Sequence, residues 1–293
     1  MINGKRPVHN ARAAANEAQD DDVTCTRPIH LAASVGCAEV IDLLALAGAD
    51  VNVSDRHGNT PVGTAAAKGY LDAVEVLLRH GAGGSDFTLL TESQKRGRKK
   101  GARPLSFLAA AGGNIKTMEV LLERAGGPEQ AQALVNAVEP RTGKTALHFA
   151  AENGRELMVA LLLKKGADKD VLCNSKQSAL HLAVLSGCLT VVRILVEHGA
   201  KVLFSAAEAQ TKKTPVSPLF LAATCQSKNM LSLFLEMGLD INTIDEKGCT
   251  PLHAALYAEH ENLAFIEFFL EHGADAKAVD NLGRSVLHYA LRR

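Results

Sequence analysis

TALHFAAENGRELMVALLLKKGAD, running from Thr145 to Asp168, is the stretch whose reading decides the fold. A hydroxyl residue opens it, and such an oxygen can accept from one of the unpaired amides at a helix start. Leu147 to Ala151 reads as a short helix and Asn153-Gly154 as the turn that ends it, since glycine takes the positive φ of a helix terminus at no steric cost. Met158, Leu161 and Leu162 follow at helical spacing, and Gly166-Ala167-Asp168 closes a second helix. Two short helices cannot bury their shared apolar side alone, so this unit must stack on copies of itself.

The copies are present. Aligned on the capping position, they start at Arg27 (RPIHLAA), Thr60 (TPVGTAA), Arg103 (RPLSFLA), Thr145 (TALHFAA), Ser178 (SALHLAV), Ser217 (SPLFLAA), Thr250 (TPLHAAL) and Ser285 (SVLHYAL). The intervals are 33, 43, 42, 33, 39, 33 and 35 residues. A period of 33 with a T-P-L-H start is the signature of one repeat architecture. On these residues the chain resembles the ankyrin-repeat family from Asp22 to its C-terminus. The resemblance implies an all-α solenoid of stacked helix–turn–helix units with β-hairpin fingers. It also places Gly48-Ala49-Asp50, Gly166-Ala167-Asp168 and Gly273-Ala274-Asp275 in the finger loops.

Residues 22–293 are therefore read as the repeat domain, with the last repeat truncated. Residues 1–21 are either a tail or a capping helix over Ala11 to Ala18, because Arg6-Pro7-Val8-His9 echoes a repeat start. Three fingers are enlarged by insertions, after Gly81, after Ala125 and between Gly199 and Ser217. In solenoids such insertions map to loops on one side. The second contains Pro128 to Val135, predicted to be a short helix with proline in its first turn. In the first repeat Leu31, Ala32 and Ala33 are expected to build the inner helix, with Val40, Ile41 and Leu44 lining the outer one. Phe265, Phe268 and Phe269 are expected in the core of repeat seven. Repeat eight stops in its first helix, leaving Val286, Leu287 and Leu291 uncovered, which predicts either a fragment of a longer protein or a fraying last helix.

Apolar residues make up 47% of the 293, enough for a continuous core. Lysine plus arginine equals aspartate plus glutamate, 32 each, so no global field favours nucleic acid or an acidic membrane. Six cysteines lie without C-x-x-C pairs, the pattern of thiols in a reducing compartment. No signal peptide or apolar run of membrane-spanning length appears. These features predict a soluble intracellular protein, cytoplasmic or nuclear, and a monomer is expected.

No catalytic constellation is visible, and no cofactor or metal is expected. His30, His148, His181, His253 and His288 recur at the fourth position of the repeat start, but stacked helices lie about 8–10 Å apart, too far for them to share an ion. In the resembled family this histidine ties neighbouring repeats by hydrogen bonds. Gly143-Lys144-Thr145 ends like a phosphate-binding loop, yet Val138 stands where the first glycine belongs. Asp50 to Asp55 starts like a calcium loop, yet Asp55 and Pro61 fill the places of its glycine and its glutamate.

The basic run holding Lys95, Arg96, Arg98, Lys99 and Lys100 is the one local charge anomaly. It reads as a nuclear-localisation segment or a dock for an acidic partner, against the plainer reading of a solvated loop. Nucleic acid is disfavoured, since no aromatic residue interleaves the run. Asn52 and Asn242 lie in finger sequences of a kind that can be hydroxylated in the resembled family, though their default role is turn geometry.

The resemblance places partners along the finger tips and the exposed ends of the inner helices. Mapped here, that surface holds Arg56, His57, Asn59 and Lys68; Arg141, Lys144, Glu152 and Asn153; Lys176, Gln177 and Ser186; Gln226; and Glu246, Lys247 and Tyr257. A protein or extended peptide is the expected ligand. Three functions follow as expectations: an adaptor or scaffold, the substrate-recruiting segment of a larger ubiquitin ligase, kinase or ADP-ribosyltransferase, or a nuclear regulator binding a transcription factor.

Overall fold

Each repeat start folds as its residues dictate. Proline stands in the first turn of four of the inner helices, where a missing amide hydrogen costs nothing and φ is already helical. The computed structural model describes residues 27–55, 57–82, 104–202, 217–257 and 263–291. Among them sixteen helices form. The inner helices are α1 (Pro28–Val35), α3 (Pro61–Lys68), α5 (Leu105–Gly112), α8 (Ala146–Glu152), α10 (Ala179–Leu185), α12 (Pro218–Thr224), α14 (Pro251–Tyr257) and α16 (Val286–Ala290). The outer helices are α2 (Ala38–Leu46), α4 (Leu71–Arg79), α6 (Ile115–Glu123), α9 (Glu156–Lys164), α11 (Leu189–Glu197), α13 (Lys228–Glu236) and α15 (Leu263–Glu271). The second insertion contributes α7 (Pro128–Val135), with Pro128 opening it as its sequence predicts. None of the described helices is long and apolar enough to cross a membrane.

Two compact units result, one of Met1–Arg141, Thr145–Ala150 and Ala160–Ala167, the other of Thr142–Lys144, Ala151–Val159 and Asp168–Arg293. In the first, α1 packs on α3, α3 on α5 and α2 on α4. Ala32, Ala33, Ala65, Ala66, Ala109 and Ala110 are buried along the inner helices, and small side chains let the helix axes close to contact. A methyl group added at Gly112 would strike the Ala67 carbonyl oxygen and the Asn114 amide. Of the residues expected to line α2, Ile41 is buried, whereas Val40 is exposed and Leu44 half-buried. Among the described residues α4 has outer-helix neighbours on both sides, α2 and α6, and α2 packs on α4.

In the second unit α10 packs on α12, α12 on α14 and α14 on α16. Phe265 and Phe269 are buried with their rings edge to face at 5.3 Å. Phe268 departs from the expected core role: it is half-buried and stacks on His272 at 4.0 Å. The last helix, expected to fray if the chain is not a fragment, is formed at Val286–Ala290 and held from the finger before it. Arg284 pairs with the Asp280 carboxylate at 2.6 Å, and the Tyr289 hydroxyl donates to the same oxygen at 2.8 Å. The described fingers are tight turns, with one isolated antiparallel bridge between Val279 and Ser285.

Candidate functional site

Three fingers share a five-residue ring opened by aspartate, Asp55 to Asn59, Asp245 to Cys249 and Asp280 to Arg284, and a fourth, Cys173 to Gln177, closes through the same backbone bond with cysteine in the aspartate's place and Lys176 in the glycine's. The first residue's amide donates to the carbonyl of the fifth at 2.9 Å in every case. In the aspartate rings the carboxylate accepts from the backbone amides of the third and fifth at 2.8–2.9 Å. Their fourth place is a glycine with φ of 83°, 76° and 71°, in the left-handed region that side chains disfavour. Burial would raise the Asp55 carboxyl, but the donors from Asn59 and His57 outweigh it and hold it below the usual range. The same balance, with Arg284, Tyr289 and Leu282 as donors, holds the Asp280 carboxyl well below that range. Burial and the bonds to Cys249 and Asp280 push the Tyr289 hydroxyl up.

Two of the rings are joined to the finger before them. Asn174 donates its amide to the Thr142 carbonyl at 2.8 Å, and Asn281 donates to Lys247 at 2.9 Å. Asn52 and Asn242 stay within turn geometry and reach the carbonyls of Gly81 and Gly273 at 3.2 and 2.9 Å. Asn136 makes the same link to Gly166 at 3.0 Å. Sequence reasoning passed over it, although Val135-Asn136 matches Val51-Asn52 and Ile241-Asn242.

The recurring histidines are structural. The backbone amides of Arg27, Thr145, Ser178, Thr250 and Ser285 donate to the Nδ1 of His30, His148, His181, His253 and His288 at 3.0–3.3 Å. An amide can only donate, so Nδ1 is unprotonated and the proton sits on Nε2. His30 uses it on the Asn59 carbonyl, 29 residues on, at 3.2 Å. His253 leaves Nε2 without a hydrogen bond and stands edge-on to the Tyr289 ring at 5.1 Å. Burial pulls the His30 pKa below its usual 6.5. As pH falls through 6.5 the unfolded chain therefore takes up a proton that the folded chain resists, and stability declines on the acid side. The melting temperature should be flat above pH 7 and lower at pH 5, by less in His30→Gln. Equal acid sensitivity in both would refute a role for His30.

The sites expected from the sequence separate into two kinds. Asn59, Lys68, Lys144, Glu152 and Ser186 are engaged in the scaffold. Asn59 binds Asp55; Lys68 donates to the Ser34 carbonyl at 2.7 Å; Lys144 pairs with Glu152 at 2.7 Å; Ser186 donates to Ala151 at 3.3 Å. Gln177 is half-buried and its carbonyl accepts from Cys173, while Arg141, Asn153 and Glu246 are exposed. His57, Lys176, Lys247 and Tyr257 carry side chains into solvent, Tyr257 being 69% exposed. Arg56 and the basic segment Lys95, Arg96, Arg98, Lys99 and Lys100 lie outside the described residues.

Two of these positions hold a backbone that the sequence did not announce. Lys176 (φ 60°) stands at the ring's glycine place, and Gln226 (φ 52°) where other inner helices end on Gly36 or Gly69. A left-handed side chain costs about 1–2 kcal/mol, of which glycine's extra chain entropy returns roughly half. Lys176→Gly and Gln226→Gly should each raise stability by about 0.5–1 kcal/mol in urea titration. A loss instead would show that the side chain supplies more than the strain removes.

The chain matches a family model described as ankyrin repeats (3 copies) over residues 9–91, 29–130, 107–206, 201–275 and 219–293. It is similar to a homologue of transient receptor potential cation channel subfamily A member 1 from Caenorhabditis elegans, 29% identical over 214 residues, covering 73% of this chain and 16% of that protein. The E3 ubiquitin-protein ligase KEG of Arabidopsis thaliana is 29% identical over 248 residues, covering 81% of this chain and 14% of that protein. The mouse B-cell lymphoma 3 protein homolog is 33% identical over 173 residues, covering 59% and 36%. The chain thus spans well under half the length of each of these relatives.

Proposed function

The chain belongs to the ankyrin-repeat family, and on that premise we propose that it is an adaptor that holds a protein or extended peptide on its finger tips and inner-helix ends, with no chemistry of its own. One observation carries the reading: rings fixed by their own hydrogen bonds present His57, Lys176 and Lys247 to solvent. A preformed surface binds without an ordering cost, so a few anchors can supply the affinity. Panning a random-peptide phage library against the chain should enrich binders whose capture drops in Lys176→Glu, Lys247→Glu and Tyr257→Ala. Enriched peptides indifferent to all three variants would count against this surface.

A second reading rests on coverage. The similarity to the plant ubiquitin ligase takes in 81% of this chain but 14% of that protein, which supports a recruiting segment within a larger enzyme. An open reading frame continuing into a catalytic domain would decide for it.

A further inference from the structure

The first repeat leaves open an apolar face that the finger surface does not use. In the six other outer helices the third residue is buried: Ala73, Thr117, Met158, Val191, Met230 and Phe265 are 0–1% exposed. The third residue of α2 is Val40, and it is 45% exposed. Leu43 and Leu46 continue its row at 67% and 71%, each three residues on and so on the same side of the helix. Leu31 and Val35 are exposed on α1, which packs against α2. A stacking face that other repeats fill with helices is thus bare on this pair.

Charge selects the occupant. From Pro28 to Asp55 the sequence holds Glu39, Asp42, Asp50 and Asp55 and no lysine or arginine. Glu39 is exposed one turn before Leu43, and Asp42 meets His80 at 2.6 Å. Arg27 and Lys68 lie on the α1 side, Arg27 before its first residue and Lys68 donating to the Ser34 carbonyl. The α2 edge is therefore apolar and acidic. A second copy would set Glu39 and Asp42 against their own counterparts, and like charges across an interface are costly. An anionic lipid surface is repelled for the same reason. Residues 1–26 hold four large aliphatic side chains, Met1, Ile2, Val8 and Val23, no two of them three or four apart, so they offer no matching stripe. We propose that α1 and α2 dock an amphipathic helix of a partner protein, with large aliphatic side chains at i, i+3 and i+7 seated on Val40, Leu43 and Leu46. Lysine or arginine flanking that stripe meets Glu39 and Asp42. This surface goes beyond the finger surface and shares no residue with it.

Fluorescein-labelled (Leu-Lys-Lys-Leu-Ala-Lys-Ala)3 titrated with the full chain tests it by anisotropy. Saturable binding is expected, weakened about tenfold or more by Leu43→Asp. That change adds an acid, so weaker binding of a basic peptide reports the lost apolar contact. Glu39→Lys leaves the apolar row intact and should also weaken binding about tenfold. Both positions are exposed, so the helical circular dichroism should survive. The peptide with glutamate in place of lysine, and one of the same composition with its leucines spread around the helix, should each bind about tenfold more weakly. Tyr257→Ala, on the finger surface, should leave this binding unchanged, which separates the two surfaces. No saturation below about 1 mM, equal binding of the peptide with dispersed leucines, or an unaffected Leu43→Asp variant overturns the proposal. A chain that dimerises in sedimentation velocity and becomes monomeric in Leu43→Asp also overturns it, giving the face to a second copy.

Discussion

Replacing Gly112 by alanine should destabilise the first unit by about 1–3 kcal/mol, although the same change in an exposed helix would stabilise it by about 1 kcal/mol. The added methyl meets a backbone carbonyl, that of Ala67, and the side-chain amide of Asn114. Asn114 donates to the Ala66 and Ala67 carbonyls at 2.5 and 3.1 Å, so it cannot swing away without giving up both of these bonds between α3 and the turn after α5. Backbone cannot yield by a rotamer change, and α3 and α5 must part. Urea titration with an unchanged m-value would report the loss. A gain in stability would mean that the two inner helices are less closely packed than the contacts at Gly112 require.

His181→Leu should cost about 2–4 kcal/mol, despite conserving bulk in a fully buried site. The imidazole Nδ1 accepts from the Ser178 amide at 3.1 Å and pairs with its hydroxyl at 2.7 Å. Leucine leaves that amide buried and unsatisfied at the start of α10, and an orphan donor costs about 1–3 kcal/mol. Asparagine at the same place, able to accept, should recover part of the loss. Indistinguishable stabilities for the leucine and asparagine variants would assign the effect to packing alone.

The repeat starts, the turn glycines and the Pro128 helix were legible because they depend on local chemistry: a cap, a positive φ, a fixed proline ring. Exposure on α2 was not. The apolar spacing of Val40, Ile41 and Leu44 says which side of a helix seeks cover, but only the three-dimensional order of neighbours says whether cover exists. Tyr289 was missed for a related reason. It occupies the place of Phe149 and Leu182 and reads as one more core residue, while its hydroxyl joins Asp280, Arg284 and Cys249. Asp280 and Arg284, four residues apart in a turn, were the available signal. Among the candidate binding residues, the sequence could place Lys68 and Ser186 at inner-helix ends. It could not show that their side chains reach back to the carbonyls of Ser34 and Ala151.

The five-residue ring has a consequence for evolvability. All its closing bonds run through main chain and one carboxylate, so the side chain of the third residue, Lys247 in one copy and Leu282 in another, is a spectator to its closure, while Asn281 in the second place ties its ring to the Glu246 carbonyl at 3.0 Å. Such third positions can be randomised as a combinatorial library with little penalty to folding. Natural drift can likewise retarget the molecule to new clients while the scaffold beneath stays as it is.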